Sequence, residues 1–445
     1  MAAGGSAIPN NLLDKMEKKI HDATVQPKNR TALKLLNAFD KDKVFGEGLA
    51  ATLRIRTGSA GMIGGAKGAV GAELIAGMAS TAIKGTLPVR KTMLGFEFSD
   101  DDLQKMQGGR AGIHTTLAKE LAGGMKKFKN SQNRFVFSRG DGVVARVNGV
   151  KTTETYIDCD LPIFAIEDDE VRGYDSRHLD AAGTQSATRR VVDVDHQLGR
   201  IYLDAASVGW ADEELVGLYN FAFDQSSAEF TATPRGMQAW FDNTGDQTAA
   251  AIWDTGDESG LRHVQTYIGL DRTTAANRKL LTTFKSAGDE AVSPYWISYG
   301  AMHLVAKGIP ASELILVMSV KQYARIVELY GGAIGPDVTI KLPGGNALLP
   351  VVSAGGTNQL PVLATPYMKD GVICTIRARG KTGDFEQVYA KGGWVGSGEG
   401  RMHLKPTGSG GYYHVWQLFY TAWWNMACID PHNQFVVYGL DTTDG

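Results

Sequence analysis

The sequence predicts an α+β protein, and three observations carry that prediction. A single long helical pattern, roughly 109–130, stands among many short strand patterns. A helix–strand–helix run between 295 and 330, followed by further strands, has the layering of a compact α/β unit. The C-terminal block carries Tyr412, Tyr413, Trp416, Phe419, Tyr420, Trp423 and Trp424, then turns at Asp430-Pro431 into a strand, Gln434–Tyr438. The first ninety residues contrast with it: a basic polar segment, then a glycine-rich stretch of small residues.

The chain has 445 residues and a formal charge of -2, enough for two or three domains or one elaborate α+β body. Its 54 glycines are about 12% of the chain, against an ordinary ~7%. They cluster at 58–77, 343–356 and 392–411, which implies positive-φ turns and adaptable loops. Near-neutral charge excludes a surface that grips nucleic acid all over, and leaves room for a local basic face. Cys159, Cys374 and Cys428 are odd in number and far apart, and read as buried free thiols in a reducing compartment. No signal peptide is expected. The stretch 60–80 has small-residue spacing at Gly61/Gly65 and Gly64/Gly68. It carries Lys67 and Glu73 and lacks bulky aliphatics, so no membrane span is predicted.

In chain order, 10–40 is helix-prone, with Leu12, Leu13 and Met16 on one side, Pro27 as a break, and Leu33, Leu35, Leu36 and Phe39 beyond it. These faces are too small for a core and read as an extended arm. Residues 51–56 alternate, Leu53 and Ile55 against Arg54 and Arg56, as a strand does. A second strand, 86–98, carries Val89, Met93, Phe96 and Phe98. Two strands around about thirty flexible residues make a long two-stranded loop that needs support from outside itself.

Ser99, Asp100, Asp101 and Asp102 form a helix-start cluster. Behind it, His114, Leu117, Leu121 and Met125 recur at helical spacing, and Lys126, Lys127 and Lys129 close the helix. Strand patterns follow at Phe135–Phe137 and Val143–Val147, then at Tyr156–Cys159, Arg189–Val194 and Arg200–Leu203, with 195–199 as a hairpin turn. Residues 208–265 read as loop-rich around Trp240 and Trp253. Helices are predicted at 278–284, 295–305 and 320–329, and strands at 310–319, 361–366 and 372–376.

Catalytic patterns are thin. His196 beside Asp193 and Asp195 reads as a solvated turn, and His303 as a helix histidine with a local partner, with Asp289 as the alternative. Glu167, Asp168, Asp169 and Glu170 read as a solvated acidic face in preference to a metal site. Gly396, Gly398 and Gly400 lack the spacing and the strand–turn–helix context of a dinucleotide loop. No nucleophile elbow, P-loop, zinc helix or calcium loop is present, so no catalytic, cofactor-binding or metal residue is assigned. The basic group Lys126, Lys127, Lys129 and Arg134 reads as dipole complement and solvated surface, with weak nonspecific contact to nucleic acid as the second reading.

Taken in order, these segments resemble the major capsid protein of tailed bacteriophages, with the HK97-like fold. The resemblance spans most of the chain: the two-stranded loop, the long helix with Asn133, Arg134 and Phe137 beyond it, the junction Met318–Tyr323, and Trp416–Tyr420 with Ile429, Asp430, Pro431 and Asn433. It implies an N-terminal arm (1–50), an E-loop (51–93), a peripheral domain with the spine helix (94–154) and its β-rich insertion (155–205). It further implies a connecting region (206–294), an axial domain (295–385) and a C-terminal return to the peripheral domain (386–445).

The implied function is structural and non-enzymatic: self-assembly as pentamers and hexamers into an icosahedral head around double-stranded DNA, within a virion assembled in the host cytoplasm. The implied partners are copies of itself, a portal protein at one vertex, a separate scaffolding protein, a decoration or cement protein, and packaged DNA through nonspecific contacts. No membrane and no cofactor are implied. No long charged helical segment precedes the arm, which is why the scaffold is expected to be separate. Lys67 and Lys84 lie in the loop, and no covalent crosslink is expected from them. The alternatives are an encapsulin-like compartment shell, which would need a cargo-peptide groove, and a soluble α/β enzyme, which would need a pocket with a titratable pair.

Overall fold

A computed structural model describes residues 40–43, 50–56, 82–99, 113–140, 142–160, 162–174, 187–206, 209–219, 233–241, 266–272, 274–330, 348–353, 356–377, 384–395, 403–406 and 412–441. The N-terminal segment 10–38, the glycine-rich tip 58–77, the acidic cluster 100–102, Trp253 and Gly396, Gly398 and Gly400 lie outside the described residues. The fold is α+β, with one long helix and several sheets.

The six-stranded sheet at the C-terminal end of the chain is built around Leu314–Ser319, whose every residue is buried. Its neighbours are Ile373–Arg377, antiparallel, and Gly356–Thr365, parallel. Strand alternation splits this strand between two clusters. Leu314, Leu316 and Met318 face the helix Pro294–Ala306 through Trp296, Ile297, Ala301 and Leu304. Ile315 and Val317 join the larger core on the opposite face, with Cys374, Ile376 and Val436. A buried strand feeding two layers is why this segment is apolar throughout.

The helix lies close on the sheet because Gly300 leaves room. A Cβ there would stand 2.5 Å from Thr375 Oγ1 and 3.2 Å from Phe435 Cδ1. Gly300→Ala is expected to cost about 1–3 kcal/mol by overpacking, read as a lowered urea midpoint at unchanged m-value.

Two expectations are corrected in this region. Residues 278–284 were expected as a helix; the chain instead makes a 3-10 turn, Ala275–Leu280, and then a strand, Thr283–Ala291. That strand runs parallel to Phe435–Asp441, so pairing with the C-terminus overrides the local pattern. The strand Phe435–Asp441 also pairs with Ile373–Arg377, which puts it in this sheet and not in the returning one.

The returning sheet is held by the 17-residue strand Tyr412–Cys428. Arg90–Ser99 pairs with one edge of it, and Phe385–Val395 and His403–Pro406 pair along the other. Asp40–Lys43 adds a parallel strand outside Phe385–Val395. Residues 420–428 are buried apart from the half-buried Trp423, which explains the density of aromatics there.

The β-rich insertion is a sheet of six strands in the order 143–146, 215–218, 170–174, 189–195, 200–203, 156–158. Its first and last strands meet through a bridge between Val147 and Cys159, so the sheet closes on itself around Val171, Val191, Ile201, Val216 and Trp210. It therefore draws on strands on both sides of 155–205. Cys159, Cys374 and Cys428 are buried free thiols.

The long helix runs Ile113–Phe137, 25 residues. Phe135–Phe137, expected as a strand, is its last turn, and Lys126, Lys127 and Lys129 lie inside the helix, ahead of its last turn. Among the described residues, no helix is long and apolar enough to cross a membrane.

Candidate assembly site

The strands Ala50–Arg56 and Ala82–Pro88 pair antiparallel, from Ala50 with Pro88 to Arg56 with Ala82. Among the described residues they form a sheet of two strands. The second strand alternates: Lys84 and Thr86 exposed, Gly85 and Leu87 buried. A pair of strands gains little from its own faces, so it depends on how its base is fixed.

The base is fixed at three points. Thr86 N–H donates to the Ile268 carbonyl at 2.7 Å. Ile268 and Gly269 both have positive φ, 49° and 76°, as in the tight turn that joins Thr266–Tyr267 to Leu270–Asp271. A β-branched residue is strained there by about 1–3 kcal/mol, a cost that surrounding contacts must offset. They do so through Gly85: a Cβ on it would lie 2.8 Å from Ile268 Cδ1 and 3.2 Å from the Ile268 carbonyl oxygen, so glycine leaves the notch that Ile268 fills.

Second, the chain turns from the hairpin into the returning sheet at Pro88, and the Pro88 carbonyl accepts from Asn425 Nδ2 at 2.6 Å. Asn425 is fully buried; its Oδ1 accepts from the N–H groups of Arg235 and Met426 at 3.0 and 2.8 Å. Third, Trp424 Nε1 donates to Thr92 Oγ1 at 3.1 Å, and that hydroxyl donates to the Ala422 carbonyl at 3.2 Å. The hairpin therefore leaves the body from a rigid socket. Its first strand was expected at these residues; its second begins four residues ahead of the expected 86, and residues 90–93 belong to the returning sheet.

A second constellation corrects the reading of the acidic run at Asp169; Glu167, Asp168 and Glu170 are exposed, as a solvated face requires. Asp168 is ion-paired with Lys127 of the long helix and with Arg190. Asp169 is ion-paired with Arg134, which is 3% exposed. Arg134 also donates to the Phe164 carbonyl at 3.1 Å and lies over the Phe135 ring at 4.9 Å. Asp169 Oδ2 accepts from Ile166 N–H at 2.9 Å. Lys127, with Arg190, holds the Asp168 carboxyl below the usual carboxylate range. The acids thus lock the β-rich insertion onto the helix, and Lys127 and Arg134 are engaged within the chain. Lys126 is exposed and Lys129 half-buried.

One of the two histidines departs from its expected setting. His196 is half-buried, edge-on to Tyr367 at 5.9 Å, and burial pushes its pKa down, so it is no solvated turn residue. His303 packs on Phe435 at 4.8 Å, its local partner being a ring. Burial first, then Lys307 and His432, lower its pKa. Among the described residues, no cluster of three or more metal-ligating side chains occurs. Lys84 is exposed on the hairpin; Lys67 lies outside the described residues. Asn425, Ile268 and the Arg134–Asp169 pair were not singled out for these contacts by sequence reasoning; the alternation around Gly85 was the one local signal available.

Comparisons with known proteins place this geometry among distant likenesses. No family model matches the chain. No curated protein matches it. Among solved structures, it is similar to a chain of the cyanophage A-1(L) capsid asymmetric unit, at 8% identity, a TM-score of 0.47, and coverage of 92% of this chain and 93% of that one. It is similar to a chain of the satellite phage P4 procapsid with its size determination protein, at 10% identity, a TM-score of 0.39, and 99% and 93% coverage. It is also similar to the holo-SrpI encapsulin complex from Synechococcus elongatus, at 9% identity, a TM-score of 0.40, and 92% and 88% coverage. Identities and scores this low do not assign a function.

Proposed function

We propose that this chain is a shell subunit: a major capsid protein of the HK97-like kind that assembles as pentamers and hexamers into an icosahedral head around double-stranded DNA. The observation that carries the reading is the two-stranded hairpin 50–56/82–88, which joins no larger sheet among the described residues and is tied at its base to Asn425 and Ile268. A two-stranded unit fixed at its base and carrying exposed Lys84 and Thr86 is suited to lying on a neighbouring subunit. The order of the other parts supports the same reading. The long helix follows the hairpin, the six-stranded sheet with its two helices serves as the axial domain, and the returning sheet with the closed β insertion serves as the peripheral domain.

The role is non-enzymatic, in the virion, with assembly in the host cytoplasm. Portal, separate scaffold and decoration proteins are its partners. Lys126 and Lys129 are the residues of the basic group left for weak contact with packaged DNA, since Lys127 and Arg134 are paired internally.

Sedimentation velocity of the purified full chain, alone and mixed with candidate scaffolding proteins, tests the reading. The expected result is pentamers, hexamers or far larger closed particles. A monomer or dimer under every condition would contradict it.

A further inference from the structure

The described ends of both direct chain crossings between the six-stranded sheet and the returning sheet meet in one buried polar cluster. One crossing runs from Ile373–Arg377 to Phe385–Val395, with Asp384 at its end; the other runs from Tyr412–Cys428 to Phe435–Asp441, through Asp430 and Gln434. Gln434, fully buried, ties them together. Its Nε2 donates to Asp384 Oδ2 at 3.0 Å and to the Asp430 carbonyl at 3.2 Å, and its Oε1 accepts from Arg377 N–H at 2.7 Å. Ile429 N–H donates to the Asp384 carbonyl at 2.6 Å. The Arg377 guanidinium serves Glu313 at 2.6 Å and reaches Asp384 only at 3.4 Å. Asp430 Oδ2 accepts from Asn433 Nδ2 at 3.0 Å, while its Oδ1 is buried without a hydrogen-bond partner.

We propose that this junction is a protonation-dependent latch: a proton held on the Asp384–Asp430 pair keeps the two chain crossings closed on each other, and its loss loosens the six-stranded sheet from the returning sheet. The inference does not depend on the shell reading.

The charges facing the pair are few for its needs. Arg377 is shared with Glu313; Lys279 and His432 act on Asp430, which in turn acts on Lys307. The buried Cys428 thiol, itself near Arg272, feels both carboxyls. Burial is the largest cause raising Asp384, to about 7, and the Asp430 charge adds to it against the opposing pull of Arg377. Burial raises Asp430 as well.

The sign follows from linkage. The folded state keeps a proton that the unfolded chain has lost between about pH 4 and about pH 7, so the latch weakens as pH rises through that window and changes no further above it.

Hydrogen exchange of the wild-type full chain, corrected for the intrinsic pH dependence of amide exchange, reads the latch in segments 373–377 and 428–441. The expected result is opening that increases up to about tenfold per pH unit between about 5 and about 7, and a flat profile in Asp384→Asn/Asp430→Asn. Unchanged wild-type protection, or a slope retained in the double variant, would overturn the proposal. If that variant does not fold, infrared spectroscopy of the wild type decides. A protonated-carboxyl band present at about pH 5.5 and lost by about pH 8 is expected, and absence of the band at the lower pH overturns the latch.

Discussion

Arg134→Ala is expected to destabilise the subunit by about 3–5 kcal/mol, the usual cost of leaving one member of a buried ion pair alone. Arg134 is 3% exposed and Asp169 is 12% exposed, so water screens the pair poorly. Removing the guanidinium also releases the Phe164 carbonyl and uncovers the Phe135 ring. Asp169 would keep only the Ile166 N–H among its named partners. Lys127→Ala, by contrast, breaks a pair whose members are 42% and 36% exposed, and is expected to cost about 0–1 kcal/mol. Urea unfolding of the two variants under conditions that keep the subunit dissociated separates these values. Arg134→Met/Asp169→Asn should recover part of the loss, because no charge is then buried without a partner. Equal midpoints for Arg134→Ala and Lys127→Ala would show that the buried pair does not lock the insertion to the helix.

Asn425→Ala is expected to cost on the order of 3 kcal/mol, since it strips buried backbone groups of their partners at once. The Pro88 carbonyl and the Arg235 and Met426 N–H groups all rely on that amide. Its effect should be larger on assembly than on folding. The hairpin would keep its own ladder but lose the tie at Pro88, one of the three that aim it, so folded chains should form closed particles in lower yield. Trp424→Phe, which removes the hydrogen bond to Thr92 and leaves a small cavity at a fully buried ring, is expected to cost about 1–3 kcal/mol and to lower particle yield less than Asn425→Ala, because Thr92 lies beyond the hairpin's end. Thermal midpoints of dissociated subunits, set beside particle yield, distinguish the two effects.

Local pattern made some of this legible and left other parts hidden, for physical reasons. Leu314–Ser319 and the helices around it show in the sequence because continuous apolar character and helical spacing are short-range signals. The hairpin strand 50–56 shows through alternation. Residues 278–284 did not, because Leu280, Leu281 and Phe284 sit at helical spacing while the strand Thr283–Ala291 owes its form to a partner at 435–441. Phe135–Phe137 has the composition of a strand, yet it finishes a helix already 22 residues long at that point. The burial of Asp169 was hidden because its cation, Arg134, comes from elsewhere in the chain. The socket was hidden for the same reason: Asn425 is one amide in an aromatic block, and nothing around it points to Pro88.

In the proposed function, the hairpin 50–56/82–88 lies on a neighbouring copy of this chain in a closed shell. Electron cryomicroscopy of the purified full chain, with scaffold added if it is required, tests this most directly. The expected result is icosahedral particles in which exposed Lys84 and Thr86 face the next subunit and the hairpin leaves its own body at Pro88. Particles with the hairpin folded back on its own subunit, or no particles under any condition, would contradict it.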